Sequence, residues 1–430
     1  MNYADLIARR ARRAHLDGPS IDPAALHASL KPFQREIVTW AARVGRPAVW
    51  ADTGLGKTRM QIEWCRLMGA TSLIVTPLAV AEQTVEEASK VGVAARYVRN
   101  ADAIDGPGVY VTNYEMVPHV RGIAWDAVAL DESSILKQSD GKTRAMLIDA
   151  FAETPFRSAW SATPAPNDPA ELTSQAEFLG HSTRDNMLAA YFIHDSDGWR
   201  LKGHALDPMV TWMSSWAVAV SKPSDLGCDD EGYILPGLKI ITETVDAELT
   251  VPDGELFAYA LGGVSGRAQV RRETLAERVE RATSLVRAEP DDQWLIWCGL
   301  NDEADALAAS IPGAVNVHGS MTPEDKAREL LAFAHGETRV LITKPSIAGM
   351  GLNFQSCARM AFVGLSDSYE AYYQCIRRCF RFGQTRVVHA HIVLSEIESQ
   401  IAANVRRKEG EANRVVRALV NARNRMEAAK

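Results

Sequence analysis

An eight-residue segment near the start of the chain has the composition of a loop that binds phosphate groups. It runs from Ala51 to Thr58 and reads Ala-Asp-Thr-Gly-Leu-Gly-Lys-Thr, between a short apolar run and a helical pattern. Gly54 and Gly56 let the backbone curl so that successive N–H groups face an anion, and the following helix adds its N-terminal partial positive charge. In such a loop Lys57 reaches the outer phosphates and Thr58 places its hydroxyl on Mg²⁺. The usual pattern begins with glycine rather than Ala51, so the match is incomplete there.

Two adjacent carboxylates follow an apolar run further along the chain. The run at 124–130 predicts a buried strand, and Asp131 and Glu132 come directly after it. In parallel α/β sheets, ligands lie at the carboxyl ends of the strands. We therefore expect Asp131 to hold Mg²⁺ through water and Glu132 to orient and polarise an attacking water. An exposed acidic turn is the alternative interpretation of this pair.

The second half of the chain supplies positive charge in the segment 374–384. Arg378 and Arg381 are three residues apart, which places them on one face of a helix, and Gln374 lies one turn earlier on that face. Two guanidinium groups and an amide suit a γ-phosphate reached from across a cleft, which is the role of an arginine finger. The spacing is equally compatible with a basic helix end that makes surface ion pairs.

Three further polar side chains lie at positions in the sequence that suit a nucleotide-dependent site. Gln34 begins a helical pattern ahead of the phosphate loop, and its amide offers one donor and one acceptor to an adenine edge. Ser161 and Thr163 follow another predicted strand. Their hydroxyls are suited to relaying the phosphate state to a nucleic-acid site by hydrogen bonds.

Aromatic and basic residues alternate in the segment 199–204. Trp199, Arg200 and Lys202 have the side chains that stack on bases and bind phosphates. Trp212 and Trp216 follow at helical spacing, and for these two, packing within a small helical insertion is the favoured interpretation.

The elements that must position these residues alternate between strands and helices in both halves. Runs of mostly apolar residues separated by helical patterns are typical of a parallel α/β sheet. The predicted strands of the first half lie at 72–77, 108–114, 124–130 and 158–164, and those of the second half at 239–245, 293–298, 314–319, 338–343 and 361–364.

Composition excludes several broad classes of protein. At 430 residues the chain is long enough for two or three domains, and its net charge of −7 provides no overall basic field. A nucleic-acid partner would therefore need a local basic groove. The six cysteines form no CxxC pair, so we expect reduced core thiols in a cytosolic protein rather than metal ligands. No apolar run approaches the length of a membrane span, no signal peptide is visible, and no membrane partner is expected.

Taken in order, the motifs resemble those of superfamily 2 helicases and translocases, most closely the Swi/Snf-type branch and its small bacteriophage members. The resemblance covers about residues 28 to 395. Residues 30–34 are similar to the family's adenine-reading Gln motif, 52–58 to motif I, 131–132 to motif II, 161–164 to motif III, 349–355 to motif V and 374–384 to motif VI.

The resemblance implies two RecA-like parallel-sheet domains in tandem with an ATP cleft between them, binding ATP, Mg²⁺ and DNA. It adds Thr53, Gly351 and Gln374 to the nucleotide-binding residues. The implied organisation is an N-terminal helical extension at 1–27, a first domain at 28–222 with a helical Trp-rich insertion at about 170–222, a linker at 223–238, a second domain at 239–395 and a C-terminal helix at 396–430.

The function implied is an ATP-dependent DNA translocase or helicase in the cytoplasm of a bacterium or of a phage-infected host. Duplex or branched DNA is favoured over RNA, with replication or recombination proteins as candidate partners. Relatives carry a histidine two residues after the acidic pair that helps couple hydrolysis to nucleic acid, and this chain has Ser133-Ser134 after the pair. Two alternatives stay open: an RNA-dependent ATPase of the same superfamily, and a nucleotide-gated DNA-binding module with weak turnover.

Overall fold

The chain folds into two α/β units. The computed structural model describes residues 18–137, 141–196, 198–246, 271–349, 353–366, 368–395 and 398–428. The described residues up to Tyr233, joined by the helical residues from Lys408 onward, form the first unit, and Ile234–Arg407 contains the second. Each unit is built on a parallel sheet, so the predicted fold class of two parallel-sheet α/β domains in tandem is confirmed. Among the described residues, no helical segment combines the length and the hydropathy that a membrane span requires.

The first unit contains a seven-stranded sheet in which every neighbouring pair is parallel. Its strands are β1 (Ala48–Ala51), β2 (Thr71–Thr76), β3 (Ala95–Tyr97), β4 (Gly108–Asn113), β5 (Ala127–Asp131), β6 (Phe156–Trp160) and β9 (Ala217–Val220). They lie in the order β3-β4-β2-β5-β6-β1-β9. A separate antiparallel hairpin is formed by β7 (Phe192–Asp195) and β8 (Gly198–Leu201).

Helices cover the sheet of the first unit. They are α1 (Pro32–Val44), α2 (Lys57–Met68), α3 (Leu78–Lys90), α4 (Lys142–Ala150), α5 (Leu172–Leu179), α6 (Arg184–Tyr191) and α7 (Leu206–Met213). Short 3₁₀ turns lie at Pro23–Ala25, Ala101–Ala103, Tyr114–His119, Ser133–Lys137, Pro169–Glu171 and Pro223–Leu226. Successive strand residues point to opposite faces, and both faces are buried. Trp50 therefore packs in one hydrophobic cluster while Val49 and Ala51 pack in another, which explains the continuous apolar run before the phosphate loop.

The second unit repeats this architecture with six parallel strands. They are β10 (Leu238–Val245), β11 (Trp294–Cys298), β12 (Val315–Asn316), β13 (Val340–Thr343), β14 (Arg359–Val363) and β15 (Val388–Ser395), in the order β10-β15-β14-β11-β13-β12. The helices are α8 (Leu275–Ala288), α9 (Asn301–Ser310), α10 (Pro323–Ala334), α11 (Pro345–Ala348) and α12 (Tyr369–Cys379). Thr322 caps α10 by accepting a hydrogen bond from the Asp325 N–H, as its sequence predicts.

The region expected to hold the insertion and the linker differs from the sequence-based expectation. Residues 217–220, expected in a helical insertion, form the edge strand β9 beside β1, because their alternating small apolar side chains fit a buried sheet position. Residues in the expected linker pack on the first unit, where the Tyr233 ring meets Phe33 edge-on at 5.4 Å. The packing interpretation of Trp212 and Trp216 is confirmed: both are buried, with ring centroids 5.3 Å apart.

The long helix α13 (Ser399–Ala428) contributes to the first unit's core from Lys408 onward. Val415, Leu419 and Ala422 belong to the largest hydrophobic cluster of that unit. The Arg423 guanidinium also pairs with the Glu36 carboxylate on α1 at 2.6 Å. The C-terminal segment therefore helps to stabilise the first unit.

Replacing Leu419 by alanine should destabilise the first unit by about 2–5 kcal/mol, because it removes a buried side chain from a packed core. Leu419 is only 2% exposed. Urea unfolding followed by tryptophan fluorescence measures the loss. Arg417→Ala, two residues away on the exposed face, is the control and should change the free energy of unfolding by less than about 0.5 kcal/mol. Equal stability of the two variants would contradict the packing of this helix.

Candidate nucleotide-binding site

The segment predicted to bind phosphate forms a tight loop between strand β1 and helix α2. The strand ends at Ala51 and the helix begins at Lys57. Gly54 has a φ of 87° and Gly56, the N-cap of the helix, a φ of 80°. These left-handed conformations suit glycine, and they turn the backbone so that the helix N-terminus closes the loop.

Internal hydrogen bonds hold the loop in this shape. The Lys57 ammonium donates to the Ala51 carbonyl at 2.9 Å, which places the lysine across the loop's own backbone. The Thr53 N–H donates to the Asp52 carboxylate at 2.6 Å. The Asp52 N–H in turn donates to the Val220 carbonyl at 2.9 Å, so strand β9 supports the loop from the side.

Gln34 contacts the loop from helix α1. Its Nε2 donates to the Leu55 carbonyl at 2.8 Å, and its Oε1 accepts from the Lys31 N–H at 2.9 Å. The side chain is 5% exposed. The amide therefore braces the loop, and its role in reading adenine stays a prediction. A Cβ added at Gly56 would lie 2.4 Å from Gln34 Nε2, so the two residues are matched in size.

Asp131 ends strand β5 at the same sheet edge as the phosphate loop, with strand β6 between β5 and β1. Its carboxylate accepts from Gln61 Nε2 at 2.6 Å and from the Thr76 hydroxyl at 3.1 Å. Hard oxygen ligands are those that Mg²⁺ prefers, and Asp131 together with the Thr58 hydroxyl supplies them. Gln61 Oε1, on the amide bound to Asp131, is buried and has no hydrogen-bond partner among the described residues. The residues present fit a magnesium ion.

Glu132 has an unusual backbone conformation. Its φ is 53°, and among the described residues other than glycine it alone has a positive φ. The Tyr114 hydroxyl donates to the Asp131 carbonyl on one side, and the Ile135 N–H donates to the Glu132 carbonyl at 3.1 Å on the other. Burial, followed by the nearby carboxylates of Asp131 and Glu132, raises the pKa of Tyr114 well above its usual value, so this hydroxyl remains a donor. Such conformations persist where the surroundings enforce them, and they cluster at functional sites.

Gln175 is a residue of this region that the sequence analysis missed. It lies on α5, is 1% exposed, and contacts three other segments. Its Oε1 accepts from Trp50 Nε1 at 2.9 Å and from the Ser133 hydroxyl at 3.3 Å, and its Nε2 donates to the Pro164 carbonyl at 2.7 Å. The available signal was a glutamine on the apolar face of an amphipathic helix, because it falls three residues after Leu172.

The predicted relay residues lie buried next to this glutamine's contacts. The Ser161 hydroxyl accepts from the Thr163 N–H at 3.0 Å, which closes the turn after strand β6. The Thr163 hydroxyl is buried without a hydrogen-bond partner among the described residues. A relay role for these two hydroxyls stays a prediction.

The predicted nucleic-acid contacts lie in and just after the β7–β8 hairpin and are engaged within the chain. Arg200 pairs with Asp195 at 2.6 Å. The Lys202 ammonium donates to the Ala190 carbonyl at 3.0 Å, and Trp199 meets the His194 ring edge-on at 4.9 Å. These contacts do not test whether the three residues bind nucleic acid, and that role stays a prediction.

The arginines of the second unit are arranged differently from the expectation. Helix α12 ends at Cys379 and Phe380 leaves the helical conformation, so the prediction that Arg378 and Arg381 share a helix face is wrong. Arg378 is 7% exposed, and its Nη2 donates to Gln374 Oε1 at 3.0 Å. Arg381 lies beyond the helix and donates to the Asn353 carboxamide. Gly351 lies outside the described residues.

Arg381 is a partly desolvated cation. Burial, followed by the neighbouring Arg378 and Arg377, lowers the pKa of Arg381 to about 10, so it remains charged at neutral pH. Its Nε is buried and has no hydrogen-bond partner among the described residues. A group of this kind has capacity left for an anion.

A buried ionic cluster lies at the carboxyl end of strand β11 in the second unit. Arg278 and Glu303 are fully buried and pair at 2.8 Å, and Arg271 pairs with Glu303 at 2.9 Å. The Glu303 carboxylate also accepts from the N–H groups of Gly299 and Leu300 directly after strand β11. The cluster fixes the turn at the end of β11.

Comparison with known proteins gives a match in the second unit. Residues 277–383 match the family model of the helicase conserved C-terminal domain. This range contains most of the segments that resemble motifs V and VI. The bacteriophage part of the resemblance stays a prediction.

The curated relatives are much longer than this chain. TATA-binding protein-associated factor mot1 from two strains of Aspergillus fumigatus is 27% identical over 192 residues, covering 36% of this chain and 10% of the relative. The chain thus spans about a tenth of the length of the curated relatives it matches. Among solved structures, the Sulfolobus solfataricus SWI2/SNF2 ATPase core in complex with dsDNA is 17% identical, with a TM-score of 0.46 over 93% of this chain and 99% of that one.

Gly56→Ala should weaken the binding of a fluorescent ATP analogue by about tenfold or more, which corresponds to ~1.4 kcal/mol. The new methyl group would displace Gln34 and strain the loop. Gly92→Ala is the matched control, because Gly92 also has a positive φ, of 69°, but a Cβ there meets open space. We expect Gly92→Ala to bind the analogue like the wild type. Equal affinities for all three proteins would contradict a role of this loop in nucleotide binding.

Proposed function

We propose that this chain is an ATP-dependent DNA translocase or helicase, which hydrolyses ATP to move along or remodel DNA. The observation that carries the proposal is the convergence of a glycine-shaped phosphate loop and the Asp131–Glu132 pair at one edge of a parallel sheet. The match of residues 277–383 to the helicase conserved C-terminal domain adds support from the second unit.

In the proposed mechanism the first unit holds the nucleotide. Lys57 exchanges its carbonyl contacts for the outer phosphates. Thr58 and Asp131 would hold a Mg²⁺ ion, which would supply positive charge to the phosphate oxygens. Glu132 orients the water that attacks the γ-phosphate. Its left-handed backbone sets the direction in which its side chain leaves the main chain.

The second unit would supply positive charge to the transition state. Arg381 is the better finger of the two candidates, because the Arg378 guanidinium is buried and bonded to Gln374. The unpartnered Nε of Arg381 gives an anion a donor that the described chain leaves unused. Gln374 in this arrangement orients Arg378 rather than contacting phosphate.

An exposed face of helix α13 supports nucleic acid as the partner. Between positions 410 and 425 the exposed residues lie within an arc of about 120° and include no acidic residue. They are Gly410, Asn413, Arg414, Arg417, Asn421, Asn424 and Arg425. Guanidinium and amide groups without carboxylates suit a phosphate backbone, in a chain whose net charge is −7.

Steady-state ATP hydrolysis tests the proposal. It is measured without nucleic acid and then with single-stranded DNA, duplex DNA, branched DNA and RNA. Strong stimulation by a DNA form is the expected result. Stimulation by RNA alone would favour an RNA-dependent ATPase, and equal, slow turnover in every sample would favour a nucleotide-gated binding module.

Lys57→Ala should abolish ATP hydrolysis, because the outer phosphates lose the positive charge of the lysine.

Arg381→Ala should lower kcat by roughly 10³–10⁵, the range for arginine fingers, while ATP binding stays mostly intact. Arg386→Ala is the control, since this exposed arginine pairs with Asp292 at 2.7 Å, and it should hydrolyse ATP normally. Near-normal turnover in Arg381→Ala would remove this residue from the site.

Charge reversal on helix α13 should weaken DNA binding. For Arg414→Glu with Arg417→Glu, we expect the slope of log affinity against log salt to fall by about 2, since each lost contact with B-DNA phosphate removes about 0.9. Fluorescence anisotropy with labelled duplex measures the slope. Arg121→Glu is the control: this exposed arginine pairs with Asp149 at 2.7 Å and should leave the slope unchanged. An unaltered slope in the double variant would exclude this face from the DNA contact.

A further inference from the structure

We propose that Gln175 is a positioning residue that sets the direction of the Glu132 carboxylate, acting through the Ser133 hydroxyl. The inference rests on the proposed function, in which Glu132 orients the attacking water. It assigns the control of that orientation to a junction, which we define as the buried hydrogen bonds that Gln175 makes with Trp50, Ser133 and Pro164.

The junction joins three segments that lie far apart in the sequence. Gln175 Oε1 accepts from Trp50 on the strand that leads into the phosphate loop and from Ser133, directly after the acidic pair. Gln175 Nε2 donates to the Pro164 carbonyl, which follows the Ser161–Thr163 turn. One amide thus ties the phosphate loop, the acidic pair and the turn after β6 to a single helix.

Burial makes these bonds specific. Gln175 is 1% exposed, Ser133 is 0% exposed and Trp50 is 2% exposed. A buried polar group that loses its partner cannot turn to water, so each contact strongly favours one arrangement of the others. The Ser133 hydroxyl is therefore held where Gln175 Oε1 places it.

Glu132 is the residue that depends on this placement. Its φ of 53° is disfavoured for a side chain with a Cβ, and the chain maintains it from both sides. The preceding carbonyl, of Asp131, accepts from the Tyr114 hydroxyl, and the Glu132 carbonyl accepts from the Ile135 N–H at 3.1 Å. The following residue, Ser133, is held by Gln175. Loss of the Ser133 contact removes one of these constraints, so the backbone of Glu132 can shift toward a negative φ and change the direction of its Cα–Cβ bond.

The position of Ser133 and the binding of nucleotide are separable. The contacts described for Lys57, Thr53 and Gln34 lie within the phosphate loop and helix α1, whereas the Ser133 hydroxyl bonds Gln175 on α5. Loss of the Ser133 contact should therefore reduce the rate of the hydrolytic step and leave nucleotide affinity in place.

The test compares two buried serines. Ser133→Ala removes the hydroxyl that bonds Gln175, whereas Ser158→Ala removes a fully buried hydroxyl on β6 that accepts from Trp160 Nε1 at 2.8 Å. We expect Ser133→Ala to lower kcat for ATP at least tenfold with KM and analogue binding within twofold of wild type. Ser158→Ala should keep the wild-type kcat. Gln175→Leu should also lower kcat, and Ser133→Ala alone decides the matter because Gln175→Leu removes the Trp50 and Pro164 contacts as well.

Different results would contradict the proposed function and the positioning role of Gln175. Absence of ATP hydrolysis by the wild-type protein, with every nucleic acid tried, would overturn the proposed function and the positioning role with it. Wild-type hydrolysis accompanied by equal kcat values for Ser133→Ala and Ser158→Ala would overturn the positioning role alone. A Ser133→Ala protein whose KM rises in place of a fall in kcat would likewise contradict it.

Discussion

Parallel pairing of the strands in the first unit is the constraint on which the candidate site depends. Because neighbouring strands run in the same direction, the ends of β1, β5 and β6 all lie at one sheet edge. Three segments that are roughly 30 or more residues apart in sequence thereby become neighbours. The glycine loop, the acidic pair and the Ser161–Thr163 turn need no other device to bring them together.

The same constraint places polar groups at the edge of a buried apolar sheet, where side chains from other elements bond several of them. Asp131 accepts hydrogen bonds from Gln61 and Thr76, and Gln175 accepts hydrogen bonds from Trp50 and Ser133. Each donor comes from a different element, so moving one element disturbs the partners of several others. A network of this kind favours a single geometry for the acidic pair.

Local sequence signals were sufficient for the features with local causes. Gly54 and Gly56 adopt the positive φ values for which glycine is suited, and apolar runs became buried strands. Features that depend on residues far apart in the chain could not be predicted from local sequence signals. The strand at 217–220 forms by pairing with β1, more than 160 residues earlier. The contacts of Gln175 depend on hydrogen-bond partners that lie on other elements. Helical spacing placed Arg381 on a helix that ends at Cys379, because spacing does not report where a helix ends.

The ending of that helix changes what the two arginines can do. On a shared helix face Arg378 and Arg381 would be equivalent, but the turn after Cys379 separates their environments. Arg378 is satisfied by Gln374, whereas Arg381 is desolvated beside two other arginines and its described side-chain bond is to a neutral amide. Desolvating a cation is unfavourable unless an anion compensates it, and repulsion from the neighbouring guanidinium groups adds to that penalty. A phosphate bound in this segment would therefore gain most from Arg381, because the Arg378 guanidinium is already bonded to Gln374.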